Sequence, residues 1–192
     1  MRVSHQSNGA CCSDIQIMIN TFETRNIFTR IHADRVRNFV TELAVALGLP
    51  DSKIKNLRLL ARFHDIGKIG VAERILLKKK QLADHEYAEL QRHCEIGYHI
   101  AKMVPELEKI ADWILKHHEW WDGNGYPLGI KGEEIPLECR ILAVADAYDA
   151  MTHNRPYRRA LSIAEARAEL ERCSGTQFDP VITSVFLRLI AD

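Results

Sequence analysis

An all-α fold is predicted by two features of this sequence. Wherever apolar residues recur regularly, they do so at the i, i+3, i+4, i+7 spacing of one helix face. The breaks between those stretches fall at Gly48, Pro50-Asp51-Ser52, Pro105 and Pro136, residues that stop or start helices. The stretch from Leu128 to Ile135 is a polar loop with room for one short hairpin. At 192 residues and 46% hydrophobic, the chain can bury one sizeable core.

Charge and cysteine content narrow the class of function. Lys and Arg total 26 and Asp and Glu total 26, with no long run of one sign, so no face for coating nucleic acid or a membrane is expected. No apolar run reaches the ~18–20 residues of a membrane span, and no secretory leader pattern opens the chain. Cys11, Cys12, Cys94, Cys139 and Cys173 form an odd, irregular set, and they read as reduced thiols of a cytoplasmic protein.

Taken in order, Met1 to Ser13 is polar, patternless and expected to be frayed. It is too short for a sensory or receiver domain, which places any regulatory module on another chain or on a part removed. Residues 14–192 are expected to form the working domain. A helical pattern runs from Asp14 to about Leu47, with a break near Arg25–Thr29 and Gly48 as its stop. His32, Val36, Phe39, Val40, Leu43 and Leu47 share its inner face; Glu23 reads as an ordinary solvated acid.

The next helix begins at Pro50-Asp51-Ser52. Its stripe of Leu57, Leu60, Ala61 and His64 carries His64-Asp65 toward the core, with Gly67 ending the helix and Lys68 one turn beyond. Val71 to Leu82 reads as a helical turn and a solvated lysine loop. Asp84 is expected to cap a helix reaching Val104, whose inner face holds Glu86, Leu90, His93, Gly97 and Ala101. Gly97 there leaves room for close approach, and His85 and His99 fall on the surface. A helix from Glu106 ends in His117-His118-Glu119. The loop Trp120 to Pro127 is rich in turn residues, and its aromatics offer a stacking wall for a base. Pro136 opens an almost wholly apolar helix, Leu137 to Thr152, interrupted by Asp146 and Asp149. A buried carboxylate costs several kcal/mol unless paired or metal-bound, which makes Asp146 the least comfortable residue of the sequence. Arg155 and Arg158 follow with guanidinium forks suited to phosphate. Two amphipathic packing helices, Ser162 to Cys173 and Pro180 to Leu189, close the chain.

His32, His64, Asp65, His93, His117, His118 and Asp146 thus point inward from five helical segments. Five imidazoles and two carboxylates exceed the ~4–6 positions of one transition ion. Two ions bridged by an aspartate use the set better, and two-metal sites position a hydroxide for in-line attack on phosphorus.

These residues carry a resemblance. His64-Asp65-Ile66-Gly67-Lys68, His93 with Gly97, His117-His118-Glu119, Asp122-Gly123, Gly125-Tyr126-Pro127, Asp146 with Asp149, Arg155-Pro156-Tyr157-Arg158 and Phe178-Asp179-Pro180 resemble, in order, the motifs of the HD-GYP subfamily of HD metal-dependent phosphohydrolases. The likeness extends from about Glu23 to Leu189. It implies an all-helical HD-domain bundle and a phosphodiesterase that hydrolyses cyclic di-GMP to pGpG and/or GMP with iron or manganese. It assigns His32, His64 and Asp146 to one metal and His93, His117 and His118 to the other, with Asp65 bridging. It gives Lys68 contact with the scissile phosphate and its leaving oxygen, Arg155 and Arg158 the phosphates, and Tyr126 the guanine site. The GYP loop would also dock diguanylate cyclases, and a homodimer is allowed for.

Members with a third metal carry Glu four residues before the first histidine ligand, where this chain has Phe28, so two metals are expected. Ile31 stands where glycine is common before His32. Two other readings stay open: a phosphodiesterase for another cyclic dinucleotide such as cyclic GMP-AMP, and a non-catalytic module that senses the nucleotide or binds a cyclase.

Overall fold

The structure, a computed structural model, describes residues 27–154 and 159–191, with side chains described from residue 31 in the first helix. The N-terminal segment, Glu23, Cys11, Cys12, Arg155 and Arg158 lie outside the described residues, as does the side chain of Phe28.

The described residues form helices joined by turns and loops, without strands. Their α-helices are α1 (Ile27–Ala46), α2 (Asp51–Phe63), α3 (Glu73–Leu76), α4 (Asp84–Gln91), α5 (His93–Lys102), α6 (Ala111–Lys116), α7 (Leu137–Thr152), α8 (Ile163–Arg172) and α9 (Pro180–Leu189), with 3-10 turns at Ile66–Gly70, Glu108–Ile110 and Gly132–Glu134. The hairpin allowed for at Leu128 to Ile135 does not form; a loop and the last of these turns fill that span. α1 is continuous from Ile27, so no break falls at Ile27–Thr29. It ends where expected, with Gly48 at φ 73°, the left-handed conformation that a glycine adopts without Cβ strain.

α1 packs chiefly on α2 and α7, and α5 on α6 and the Ile66–Gly70 turn. Val36, Val40, Leu43, Leu57, Leu60, Ile110, Ile114, Ile141 and Val144 are fully excluded from solvent in one continuous core. Each buried Leu or Ile contributes about 1.5–3 kcal/mol. α7 runs through the middle of this core, as its nearly unbroken apolar sequence requires.

Three helices differ from their sequence expectation. α2 stops at Phe63, leaving His64 as its C-cap and Asp65 at the head of the 3-10 turn. The 84–104 stretch divides at Arg92 into α4 and α5, and Ala83, not Asp84, is the cap; the Glu86 carboxylate accepts the Ala83 N–H at 2.8 Å, which satisfies that end from inside the helix. Glu86 also pairs with the partly exposed Lys78, which ties the otherwise exposed lysine loop to α4. The helix expected from Glu106 is a 3-10 turn followed by the six-residue α6, because the chain leaves helical geometry at Ile110 (φ −109°, ψ 1°). His117 and His118 consequently lie just beyond a helix end.

Among the described glycines, Gly67 sets the closest approach. A Cβ on Gly67 would stand 1.9 Å from the His93 carbonyl oxygen and 2.5 Å from the Gly97 nitrogen. Gly67 therefore does more than terminate a helix: it lets the turn carrying His64-Asp65 lie directly on the start of α5. At the C-terminal end, Asp179 caps α9 through Val181 N–H at 2.8 Å and accepts Arg140 Nη1 of α7 at 2.7 Å. The Trp121 and Asp122 N–H groups donate to the Gln177 and Thr176 carbonyls, which fixes the aromatic loop to the turn before α9.

Candidate metal centre

Five segments converge at one point: the end of α2, the start of α5, the end of α6, the first half of α1 and the middle of α7. Ligand atoms of Asp65, His93, His117 and His118 lie within 4.8 Å of one another, and so do those of His32, His64 and Asp65. Asp146 joins the second group: its Oδ1 is 3.0 Å from His32 Nε2 and 4.0 Å from His64 Nε2. All seven inward residues of the sequence expectation meet here, in two groups that share Asp65.

The tautomers follow from the backbone. His64, His93 and His117 each donate Nδ1–H to a carbonyl three residues earlier: Ala61 at 3.0 Å, Leu90 at 2.7 Å and Ile114 at 2.6 Å. A carbonyl can only accept, so the proton sits on Nδ1 and the Nε2 lone pair faces the cluster. His93 Nε2 and His117 Nε2 are then 3.4 Å apart with no proton to share. Two nitrogen lone pairs at that distance repel unless a cation lies between them, and two nitrogens bound to one ion at about 2.1 Å can hold such a separation. Asp65 Oδ1 is buried without a hydrogen-bond partner among the described residues, the second group that a cation would satisfy. The donor set fits divalent metal.

Charge states agree with this reading. Burial lowers His93, and it holds His117 well below its ordinary value, with the neighbouring histidines adding to the effect. His118 is pushed down to about 3, again by burial and by His93. Burial opposes the charge on Asp65, yet Lys68 and the surrounding imidazoles keep it well below the usual carboxylate range. Lys68 Nζ reaches Asp65 Oδ2 at 2.6 Å.

His32 is the exception. Burial disfavours its charge, but Asp146 on Nε2 and Asp149 on Nδ1 (2.6 Å) raise it to about 9. Asp149, the more deeply buried acid of α7 at 1% exposure, also accepts from Arg35, through Nη2 at 2.9 Å and through Nε, and faces His153 Nδ1 at 3.1 Å. Asp146 keeps 27% of its side chain exposed, so Asp149, not Asp146, is the acid most dependent on partners. The sequence reading gave no role to Asp149 or Arg35. Their signal was present: Arg35 stands three residues after His32 on α1, and Asp149 three after Asp146 on α7.

The aromatic loop does not form one wall. Tyr126 stacks on His118 (centroids 4.9 Å, 30° between planes), Trp121 lies under Arg140, and Trp120 lines a cavity that it shares with His118 and Asp146. Glu119 holds the loop from beneath: it is 3% exposed and accepts Leu128 N–H at 2.6 Å. A Cβ on Gly125 would come within 2.2 Å of Trp120 N, so the loop folds tightly back on Glu119-Trp120.

Residues 16–182 match the HD domain family. The chain is 38% identical over 177 residues to a cyclic di-GMP phosphodiesterase of Thermotoga maritima, covering 91% of this chain and 48% of that protein. It is also 38% identical over 149 residues to 3'3'-cGAMP-specific phosphodiesterase 1 of Vibrio cholerae, covering 78% of this chain and 35% of the other. Its fold resembles that of an HDG"Y"P protein from Bdellovibrio bacteriovorus, with TM-score 0.68 at 18% identity over 85% of this chain and 53% of that one. The chain spans about half the length, or less, of these curated relatives. Matched along most of its length, and carrying both the His64-Asp65 pair and the Gly125-Tyr126-Pro127 loop, the chain belongs to the HD domain family, in its HD-GYP branch.

Proposed function

We propose that this chain is the catalytic domain of a metal-dependent phosphodiesterase that hydrolyses cyclic di-GMP to pGpG and/or GMP. The observation that carries the reading is the pair of donor groups sharing Asp65, with imidazole lone pairs directed inward and held there by backbone carbonyls. In this proposal His32, His64 and Asp146 hold one divalent ion, His93, His117 and His118 hold a second, and Asp65 serves both. Iron or manganese suits a mixed imidazole–carboxylate set. When bound, the two ions supply an activated water and neutralise the phosphoryl oxygens.

The chain's own residues do the rest. Hydrolysis forms one bond from water oxygen to phosphorus and breaks the bond to the 3′ oxygen, which takes up a proton. Lys68, fixed beside Asp65 at the site's edge, offers an ammonium to the scissile phosphate and to that leaving oxygen. Arg155 and Arg158 are assigned to the distal phosphates. Tyr126, braced on His118, shapes the guanine side of the site. Within the cell we place the domain in the cytoplasm, where cyclic dinucleotides and reducing conditions coexist, with its Tyr126 loop also available to a diguanylate cyclase.

The test is anaerobic protein loaded with Fe(II) or Mn(II), incubated with cyclic di-GMP and, in parallel, with 3′,3′-cyclic GMP-AMP, and followed by chromatography. Linear products that vanish with a chelator support the reading, and the ratio of the two rates names the substrate. Metal-replete protein that leaves both untouched overturns it in favour of a nucleotide-binding module.

A further inference from the structure

Between the metal centre and the C-terminal helices lies a cavity of about 330 Å³. His118 and Asp146 line it on the metal-centre side, and Trp120, Met151, Glu169, Gln177 and Phe178 are among the residues around the rest. Met151 and Phe178 are buried and apolar. The Gln177 side chain is half-buried and makes no hydrogen bond among the described residues, although its backbone is fixed by Trp121 N–H and by the Cys173 carbonyl. Trp120, 37% exposed, likewise offers its indole to the cavity and not to the core.

We infer that this cavity is a purine subsite: one base of the cyclic dinucleotide enters it, stacked against Trp120 and read by the Gln177 carboxamide, while the adjoining phosphodiester meets the metal centre. The inference rests on the phosphodiesterase reading above. A volume near the lower end of small-molecule sites holds one base and not a whole dinucleotide. An apolar floor of Met151 and Phe178 with one unpartnered amide, beside a Glu169 carboxylate already bonded to Arg172, suits a flat heteroaromatic ring that has a hydrogen-bonding edge. A carboxamide presents one acceptor and two donors and can reverse their order. It therefore complements the O6/N1–H edge of guanine and, turned over, the N6–H/N1 edge of adenine. The subsite binds a purine without choosing between the two, so selectivity between cyclic di-GMP and mixed dinucleotides must come from elsewhere in the site. Trp120 and Gln177 are kept together by the backbone hydrogen bonds between the aromatic loop and the turn before α9, so stacking and edge recognition are pre-organised.

The experiment compares wild type with Gln177→Leu and Trp120→Leu in three measurements on metal-loaded protein. These are cyclic di-GMP kinetics, turnover of bis(p-nitrophenyl) phosphate, which carries no purine, and 5′-GMP binding by calorimetry. The expected result is a rise of about tenfold in KM for cyclic di-GMP and in the Kd for GMP in each variant, with kcat within threefold and bis(p-nitrophenyl) phosphate turnover unchanged. Variants that keep both cyclic di-GMP KM and GMP Kd within twofold of wild type overturn the subsite. So does an equal loss toward bis(p-nitrophenyl) phosphate, which marks a structural effect. Wild type that turns over neither cyclic dinucleotide yet binds GMP in a Gln177-dependent way refutes the phosphodiesterase reading and keeps the subsite. Wild type that does neither refutes both.

Discussion

Asp149 Oδ2 lies 2.6 Å from His32 Nδ1, on the far side of the imidazole from Asp146. Buried Asp149 is itself gripped by Arg35, so the ring is pinned between two carboxylates that come from one face of α7. A metal-ligating imidazole usually donates its second N–H to such a carboxylate, which fixes both ring orientation and tautomer.

The first prediction follows from that geometry. Asp149→Asn should lower metal affinity by about 10–100-fold, and the stoichiometry after dialysis should fall by one ion while the His93 side stays loaded. Asp149→Ala, which leaves the Arg35 guanidinium without its buried partner, should also destabilise the fold by about 3–5 kcal/mol. Metal analysis and urea unfolding separate the two effects. Full metal content in a folded Asp149→Asn protein would remove Asp149 from any role in holding His32.

Asp65 is the residue common to both donor groups. Its replacement by Ala should abolish turnover and reduce bound metal below the wild-type content, with the helical signal preserved. A folded Asp65→Ala protein with full activity would end the shared-ligand proposal.

A third prediction concerns Gly67 and its contact with the His93 carbonyl. Gly67→Ala forces backbone against backbone, where nothing flexible can yield, and should cost about 3 kcal/mol or more. Gly97→Ala should cost less, because the nearest atom is a side-chain methyl of Ile114 at 2.8 Å. Gly48→Ala meets no atom within 4 Å but keeps a positive φ, and should cost only about 1 kcal/mol. The order of the three midpoints in a denaturant series checks the assignment.

This glycine also shows where sequence reasoning stops. Periodicity located the helices well, and it turned His32, His64 and His93 inward correctly, because a face defined by Leu and Val neighbours fixes the direction of the residue among them. It placed α7, α8 and α9 nearly to the residue, since proline and Ser162 or Asp179 mark their starts. It failed at the end of α2 and the start of α6, where the chain leaves α geometry at Asp65 and Ile110. Those departures are imposed by contacts between segments distant in sequence, such as Gly67 on α5, and no local pattern encodes them. The second layer of the site was missed for a similar reason. Asp149 and Arg35 are 114 residues apart; Asp149 stands out as a carboxylate in an apolar helix, but nothing local to it names His32 and Arg35 as its partners.

The metal-free protein should have a stability maximum near neutral pH. His32, raised to about 9 when folded and near 6.5 when unfolded, adds stability that is complete below about 6.5 and is lost as the pH climbs through about 9. His93, His117 and His118 are depressed in the fold. Below about 6.5 the unfolded chain therefore binds more protons than the native one at these sites, and stability falls as the pH drops. Three groups act on the acid side and one on the alkaline side, so the acid slope should be the steeper. Thermal unfolding of chelated protein across pH 5–9.5 measures both arms, and a midpoint still rising at pH 9 would contradict the His32 assignment.

The last prediction concerns the floor of the aromatic loop. Glu119 is buried, its carboxyl is pushed upward by burial against the pull of the Leu128, Gly129 and Ile130 N–H groups, and its Oε2 has no hydrogen-bond partner among the described residues. Its Oε1 accepts the Leu128 N–H two residues beyond Tyr126, so it holds the segment that sets Tyr126 on His118. Glu119→Ala removes the carboxylate acceptor of the Leu128 N–H, and losing that charge-assisted hydrogen bond costs about 1.5–3 kcal/mol. The loop should then open more often, with faster amide exchange from Gly125 to Ile130 and a loss of about tenfold in kcat/KM, while metal content stays intact. Glu119→Gln retains the acceptor at Oε1 and should restore both exchange protection and most of the rate. Equal damage from Ala and Gln would show that the negative charge, and not the hydrogen bond to Leu128, is what the site requires.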